Sequence, residues 1–200
     1  YKDGDYILGA DISKFQEYER YGTKIYDTDD TEADIFTILA NHGFNYIRLK
    51  TFVSPAAAYG YAAKGCGADA ESFGDKDHVI AYAKKVKAAG FGLFLDIHYS
   101  DNWADPNSQI IPSRWRNVST SDALADSVYA YTYDLIKSLK SADALPDMVQ
   151  IGNEITNGLL RDLPTSNTNC YADNVALASA DVSGTLSTDA GKIMIGRAHV

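Results

Sequence analysis

Charged and polar side chains stand at the ends of four short apolar runs in the sequence. Run by run, these residues are Asp11, Arg48, Asp96 with His98, and Asn153 with Glu154. A glutamate beside a cleft can serve as a general acid or base when its surroundings bring its pKa close to the working pH. One carboxylate at a strand end is more often a cap for the following loop, so the prediction depends on the combination. Burying these charges without partners would be costly, and we therefore expect them to converge.

The segments that carry these residues predict alternating strands and helices. Short apolar runs predict strands at 7–11, 44–50, 91–99, 148–152 and 192–200. Amphipathic spacing predicts helices at 31–42, 75–89, 121–140 and, from a weaker pattern, 174–186. Thr31 and Asp34 resemble a capping box at the start of the first helix. Gly43 and Gly90 are placed to end the first two helices.

Long loops follow the predicted strands, whereas short turns follow the predicted helices. Strand–helix alternation implies right-handed crossovers and parallel neighbouring strands. These features predict an α/β fold of the (β/α)8 TIM-barrel type, whose active sites lie at the carboxyl ends of the strands. The alternative is an open doubly wound sheet, but no glycine-rich phosphate loop follows any strand. Such barrels take roughly 250 residues, so we expect 1–200 to be a single catalytic barrel domain, incomplete at its C-terminus, with about the first four βα units and a fifth strand.

The composition argues against several classes of partner. The 200-residue chain carries a formal charge of −9, which disfavours nucleic acids and anionic membranes. No apolar run reaches roughly 18 residues, so no membrane-spanning helix is predicted. No CxxC motif or His/Cys cluster indicates a metal site, and whether Cys66 and Cys170 form a disulfide stays open. We expect a monomer without a cofactor. We also expect it to be secreted or extracytoplasmic, because the chain begins at Tyr1 as if a leader had been removed.

Four stretches of the sequence share the pattern of a known family. They are GADIS at 9–13, NYIRLK at 45–50, LDIHYSDNWADP at 95–106 and LPDMVQIGNEITNG at 145–158. In this order they resemble glycoside hydrolase family 53, the endo-β-1,4-galactanases. The last two stretches are long and specific, whereas the Asn-Glu pair alone indicates only the wider clan of retaining (β/α)8 glycosidases. The resemblance fades after about Thr165.

The resemblance implies a role for each strand-end residue. Glu154 matches the general acid/base, which protonates the departing glycosidic oxygen and then deprotonates the incoming water. Asn153 matches the asparagine that hydrogen-bonds the sugar 2-hydroxyl group. Arg48 matches the arginine that orients the nucleophilic carboxylate and keeps it ionised. Asp96 and His98 match the rim of the third strand, where His98 would line the sugar subsite.

The same residues also have structural explanations. Arg48 could simply neutralise Asp96 or Glu154. A histidine such as His98 is more often a hydrogen-bonded structural residue than a proton shuttle. Trp103 matches a loop tryptophan that can stack on a galactose ring, but it could equally anchor its loop in the core.

A retaining mechanism needs a second carboxyl group about 5–5.5 Å from the first. The resemblance places this nucleophile, a glutamate, at the end of a seventh strand, beyond residue 200. The carboxylates available on the catalytic side are Asp11, Glu71, Asp101 and Asp105, and none stands where the family keeps its nucleophile. A structural calcium, where the family has one, is held by later loops, so no metal ligand is expected within this sequence.

The resemblance implies retaining endo-hydrolysis of β-1,4-galactosidic bonds in the (arabino)galactan side chains of pectin, and this polysaccharide is the expected partner. Two alternatives stay open. One is a mannanase or cellulase of the same clan, which would share Asn-Glu but not HYSDxWADP. The other is a non-catalytic, carbohydrate-binding partial barrel.

Overall fold

The computed structural model describes residues 6–63, 73–163 and 178–179. Its strands are β1 (Gly9–Asp11), β2 (Tyr46–Thr51), β3 (Gly92–Ile97), β4 (Met148–Ile151), β5 (Asp162–Leu163) and β6 (Ala178–Ser179). Its helices are α1 (Phe15–Arg20), α2 (Ile35–Asn41), α3 (Lys76–Ala88) and α4 (Ser121–Ser141), with 3-10 turns at Ser113–Trp115 and Ile155–Asn157. The four strands and three long helices predicted before residue 160 are therefore confirmed, with ends that differ by a few residues.

Strands β1 to β4 form one parallel sheet in the order β1-β2-β3-β4. Each strand thus pairs with the next strand in the sequence, without the reversal of strand order that a doubly wound sheet contains. In register, Asp11 lies beside Arg48. Asp96 lies beside Lys50 on one side and Gln150 on the other. The polar residues predicted from separate runs therefore meet at one edge of one sheet.

The two faces of this sheet differ, because successive side chains of a strand point to opposite sides. On the outer face, apolar residues of β2 and β3 belong to one buried cluster together with residues of α3 and α4. The central members of this cluster are Ile47, Leu49, Leu93, Leu95, Ile97, Val79, Val86, Val128, Leu135 and Leu139. The alternate positions of the same strands form the inner face, which holds Arg48, Lys50, Phe94 and Asp96. The outer face supplies the core, and the inner face carries the charged groups.

Side chains at the helix starts set where the helices begin. Asp34 Oδ1 accepts hydrogen bonds from the backbone N–H groups two and three residues on, at 3.0 Å each, so Asp34 is the N-cap of α2. The capping box expected at Thr31 is wrong, because the chain is still extended there and Glu32 forms a β-bridge with Tyr26. Thr120 caps α4 through its side-chain oxygen, as Asp34 caps α2.

Several predicted features lie outside the described residues: the strand at 192–200, Cys66, Cys170, and most of the helix at 174–186. The two described residues of that predicted helix, Ala178–Ser179, pair antiparallel with Asp162–Leu163 instead. Backbone pairing with β5 therefore overrides the weak helical spacing at these two positions. Within 6–63, 73–163 and 178–179, no helix combines the length and the apolar character needed to cross a membrane.

Candidate active site

Arg48 is the centre of the polar cluster at the carboxyl edge of the sheet. Its Nη1 donates to Asp11 Oδ2 at 2.7 Å, and its Nη2 donates to Asp96 Oδ2 at 2.6 Å. Nη2 also lies 3.2 Å from Asn153 Oδ1 and 3.3 Å from Gln150 Oε1. One guanidinium on β2 thus joins the ends of β1, β3 and β4. A planar group with five donors suits this task better than the single ammonium of a lysine.

Asp11 is held as an ionised carboxylate on the side of the cluster next to β1. Its Oδ1 accepts from Ser13 Oγ at 2.6 Å and from Ser13 N at 3.1 Å, while its Oδ2 pairs with Lys50 and Arg48. Burial by itself would raise the pKa of Asp11, but the hydrogen bonds from Lys50 and Ser13 outweigh burial and hold this pKa below its ordinary value. The carboxylate of Asp11 is therefore paired within the protein and has a structural role.

Asp96 and His98 lie behind the rim, with side chains that have no exposed surface. His98 Nδ1 accepts a hydrogen bond from Ala104 N at 3.0 Å, so a neutral His98 carries its proton on Nε2. Nε2 is 3.1 Å from Asp96 Oδ2 but is not aligned for a hydrogen bond. Asp96 Oδ1 accepts no hydrogen bond within the described ranges. The pair supports Arg48 and the loop after β3, and a direct contact with a sugar stays a prediction.

Asn153 is fixed from both ends of its side-chain amide. Its Nδ2 donates to Ala104 O at 2.7 Å, and its Oδ1 accepts from Arg48. Gln150 Nε2 lies 3.2 Å from the same oxygen. These contacts fix the rotamer of Asn153 and use one of the two hydrogens on its Nδ2.

Gln109 is a site residue that the sequence did not reveal. It is 2% exposed, and its Nε2 donates to Asn153 O at 2.8 Å and to Asp105 O at 3.0 Å. A longer contact of 3.4 Å reaches Glu154 O. The sequence offered one signal: Gln109 directly precedes the apolar pair Ile110-Ile111, which indicates burial. A buried polar side chain must find hydrogen-bond partners.

Glu154 differs from its neighbours because it projects from a turn instead of lying in the cluster. Its backbone is left-handed, at φ 51° and ψ 45°, a conformation that costs a non-glycine residue on the order of 1–3 kcal/mol. The residue is exposed. In the part of the chain that the structure describes, its carboxylate forms no hydrogen bond or ion pair. The arrangement presents an acid whose carboxyl group is free to meet a ligand.

Trp103 lies on the loop after β3 and is half-buried. Its ring centroid is 5.4 Å from that of Phe52 and 5.8 Å from that of His98, both in edge-to-face geometry. The ammonium groups of Lys50 and Lys14 lie 5.3 and 5.9 Å from the centroid of the indole ring. The ring therefore anchors its loop and lines an open cavity. Stacking of a galactose ring on Trp103 stays a prediction.

Across 6–63, 73–163 and 178–179, no group of three or more His, Cys, Asp or Glu side chains is arranged to hold a metal ion.

The chain is similar in sequence to members of one family of glycosyl hydrolases. The model of glycosyl hydrolase family 53 matches residues 7–195. An arabinogalactan endo-beta-1,4-galactanase of Thermothelomyces thermophilus is 37% identical over 165 residues, which are 82% of this chain and 44% of that protein. A Niallia circulans protein described as an uncharacterised protein in the bgaB 5′ region is 38% identical over 161 residues, or 80% of this chain and 40% of that protein.

The fold is matched by solved structures as well. The Ignisphaera aggregans GH53 catalytic domain superposes with a TM-score of 0.69 at 41% identity, over 78% of this chain and 41% of that one. The prediction of a (β/α)8 barrel is confirmed, and the parallel sheet with its helices covers part of that barrel. The chain spans about two-fifths of the length of the curated relatives it matches. From the family model and these relatives together, the chain belongs to glycosyl hydrolase family 53.

Proposed function

We propose that this chain carries the acid/base part of the active site of an endo-β-1,4-galactanase, which hydrolyses (arabino)galactan side chains of pectin with retention. The observation that carries the proposal is the exposed carboxylate of Glu154 next to an Asn153 amide locked by Arg48. Membership of glycosyl hydrolase family 53 and the name of the Thermothelomyces thermophilus relative support the choice of substrate.

Glu154 is proposed as the general acid and base. In the first step its protonated carboxyl group donates to the departing glycosidic oxygen, and in the second step its carboxylate takes a proton from water. A carboxyl group without a fixed protein partner can make both contacts in turn. Asn153 and Arg48 are proposed to contact the substrate or the nucleophile, and the fixed rotamer of Asn153 would lower the entropic cost of binding.

The nucleophile is proposed to follow residue 200 in the whole protein. Two of the described carboxylates near the site are engaged elsewhere: Asp11 pairs with Lys50 and Arg48, and Asp101 accepts from Ser113 N and Oγ. Asp105 accepts from Asn107 N through Oδ1. Glu71 lies outside the described residues. The domain of 1–200 would then be one part of a longer barrel. We also propose a monomeric, cofactor-independent enzyme acting outside the cytoplasm, because its polymeric substrate is found there.

The test is Glu154→Gln in the whole enzyme, with β-1,4-galactan and an aryl β-galactobioside as substrates. Loss of general acid catalysis should lower kcat/KM on galactan by about 10²–10⁴. A dinitrophenyl leaving group needs no proton, so kcat/KM on the dinitrophenyl β-galactobioside, which reports only the first step, should fall much less. The matched control is Glu32→Gln, which removes an exposed carboxylate paired with Lys24 and should leave both rates unchanged.

Each other result counts against a defined part of the proposal. Near-normal hydrolysis of galactan by Glu154→Gln would exclude the acid/base role. Cleavage of mannan or cellulose in place of galactan would favour the other enzymes of the clan. Binding of galacto-oligosaccharides without any turnover by the wild-type protein would favour a carbohydrate-binding barrel. Inversion of configuration at the anomeric carbon, measured by NMR, would contradict retention.

A further inference from the structure

A cavity of about 210 Å³ lies beside the Arg48 cluster, next to the carboxyl ends of β1 and β2. Its wall combines aromatic rings with charged groups, chiefly those of Lys14, Glu17, Lys50, Phe52, Tyr61 and Trp103. Pockets for drug-sized ligands measure roughly 300–1,000 Å³. The described part of the cavity is therefore large enough for one sugar ring.

The charges in this cavity are concentrated over one ring. Lys50 and Lys14 both place an ammonium group within 6 Å of the Trp103 centroid, at 5.3 and 5.9 Å. Lys50 forms an ion pair with Asp11. Lys14 has no carboxylate partner within the described part of the chain, although Glu17 lines the same cavity. One cation is thus available to a ligand.

This arrangement discriminates between neutral and acidic sugars. A ligand that binds next to the indole therefore lies close to at least one ammonium group, which attracts an acidic sugar more than a neutral one. A carboxylate can accept a charge-assisted hydrogen bond from the exposed ammonium group of Lys14. The chain as a whole carries a charge of −9, so binding an anion depends on such a local concentration of lysines.

We propose that this cavity binds the carboxylate of a uronic acid that is linked to the galactan chain. It would act as a subsite that selects acidic, substituted polysaccharide over plain galactan. The inference rests on the proposed function for the galactan chain itself, but the binding of an acidic sugar needs no hydrolysis. Two sources of the carboxylate are chemically equivalent here: a galacturonic acid of the pectin main chain and a glucuronic acid that ends a galactan branch.

The experiment is calorimetric titration of the whole enzyme with three disaccharides: digalacturonate, glucuronosyl-β-1,6-galactose and neutral β-1,4-galactobiose. The wild type should prefer an acidic disaccharide over the neutral one. Lys14→Gln should lower the ratio of acidic to neutral affinity about tenfold, the size expected of one charge-assisted hydrogen bond. Lys14→Arg should keep most of the preference, and Glu17→Gln should increase it.

Lys137→Gln is the matched control, because Lys137 also lies over an aromatic ring, that of Tyr133, but on the outer helix α4. It should leave the affinity ratio unchanged. Preference for digalacturonate or for the glucuronosyl disaccharide identifies the source, and either supports the proposal. Equal affinity for acidic and neutral disaccharides, or a preference that survives Lys14→Gln, would overturn it. Hydrolysis of plain galactan is scored separately, so a galactanase without acidic preference refutes only the subsite, and acidic binding without hydrolysis refutes only the galactanase.

Discussion

On the outer face of β3, Leu93, Leu95 and Ile97 are completely buried in one apolar cluster with helix side chains. On the inner face of the same strand, Phe94 is half-buried, and Asp96 is completely buried against the guanidinium of Arg48. Both faces bury side chains, but different interactions stabilise the buried groups. Burial of the outer side chains needs no particular partner, because the hydrophobic effect is non-directional. Burial of Asp96 is tolerable only with a specific cation in place.

The difference shows how one short strand can serve both stability and function. The apolar face fixes the sheet against its helices, and the charged face then holds polar groups in defined positions at the strand ends. Mutations on the two faces should therefore fail in different ways. On the outer face the cost should follow the volume removed, whereas on the inner face it should follow the charge or hydrogen bond left without a partner.

The largest effect should come from Arg48→Met. This change keeps a long side chain but leaves Asp96 buried without its cation, and we expect a loss of about 3–5 kcal/mol in the free energy of unfolding. Urea unfolding at neutral pH measures it. The control is Lys76→Met, which breaks an ion pair with the exposed Asp134 and should cost no more than about 1 kcal/mol. Equal losses in the two variants would contradict the claim that the inner face depends on a specific buried ion pair.

A smaller effect should follow from Gln109→Leu. The leucine fits a similar volume but leaves the carbonyl groups of Asp105 and Asn153 without their donor, which should cost about 1–3 kcal/mol of stability. Because the same amide holds the left-handed turn, the kcat of the whole enzyme on galactan should fall more than that of Gln16→Leu. Among the described residues, Gln16 donates one hydrogen bond, to His78 O at 3.0 Å, and it is remote from Glu154 in the sequence. Unchanged kcat in a stable Gln109→Leu variant would limit Gln109 to a structural role.

The smallest effect should be a pH dependence that distinguishes two carboxylates on the same side of the sheet. Burial raises the pKa of Asp101 above its ordinary value of 3.8, even though hydrogen bonds from Ser113 oppose the rise. The folded state then binds the proton of the Asp101 carboxyl group more tightly than the unfolded state does. The stability that this group contributes is therefore complete below pH 3.8 and is lost as pH rises through the raised pKa. Relative to the wild type, the non-titrating variant Asp101→Asn should therefore gain thermal stability as pH rises.

Asp11 provides the opposite case. Its pKa is lowered, so its contribution is present above the ordinary value and is lost as pH falls through the lowered pKa. Asp11→Asn should thus lose stability most clearly at neutral pH. Thermal unfolding of both variants between about pH 3 and 7 compares the two signs. The same pH trend in both would contradict the burial argument.

Sequence patterns predicted the strands and long helices because apolar periodicity reports directly which side of an element is buried. They also predicted that Arg48, Asp96 and Asn153 would come together, since parallel strands end at one edge. They did not predict the role of Gln109. Its place before Ile110-Ile111 indicates burial, but the partner it finds 44 positions along the chain leaves no local signal. The predicted start of α2 was also too early. Asp34 is the N-cap of this helix, and the β-bridge between Tyr26 and Glu32 keeps the residues before it extended.

By itself, the sequence determined the order of the elements, the family and the identity of the acidic residue after β4, because these depend on local pattern and on residue type. Only the tertiary structure decided how the charges are shared. It assigned Arg48 to Asp11 and Asp96, fixed Asn153 between two loops and left Glu154 without a partner among the described residues. The physical reason is that electrostatic and hydrogen-bond energies depend on distances of a few tenths of an ångström, and packing sets those distances.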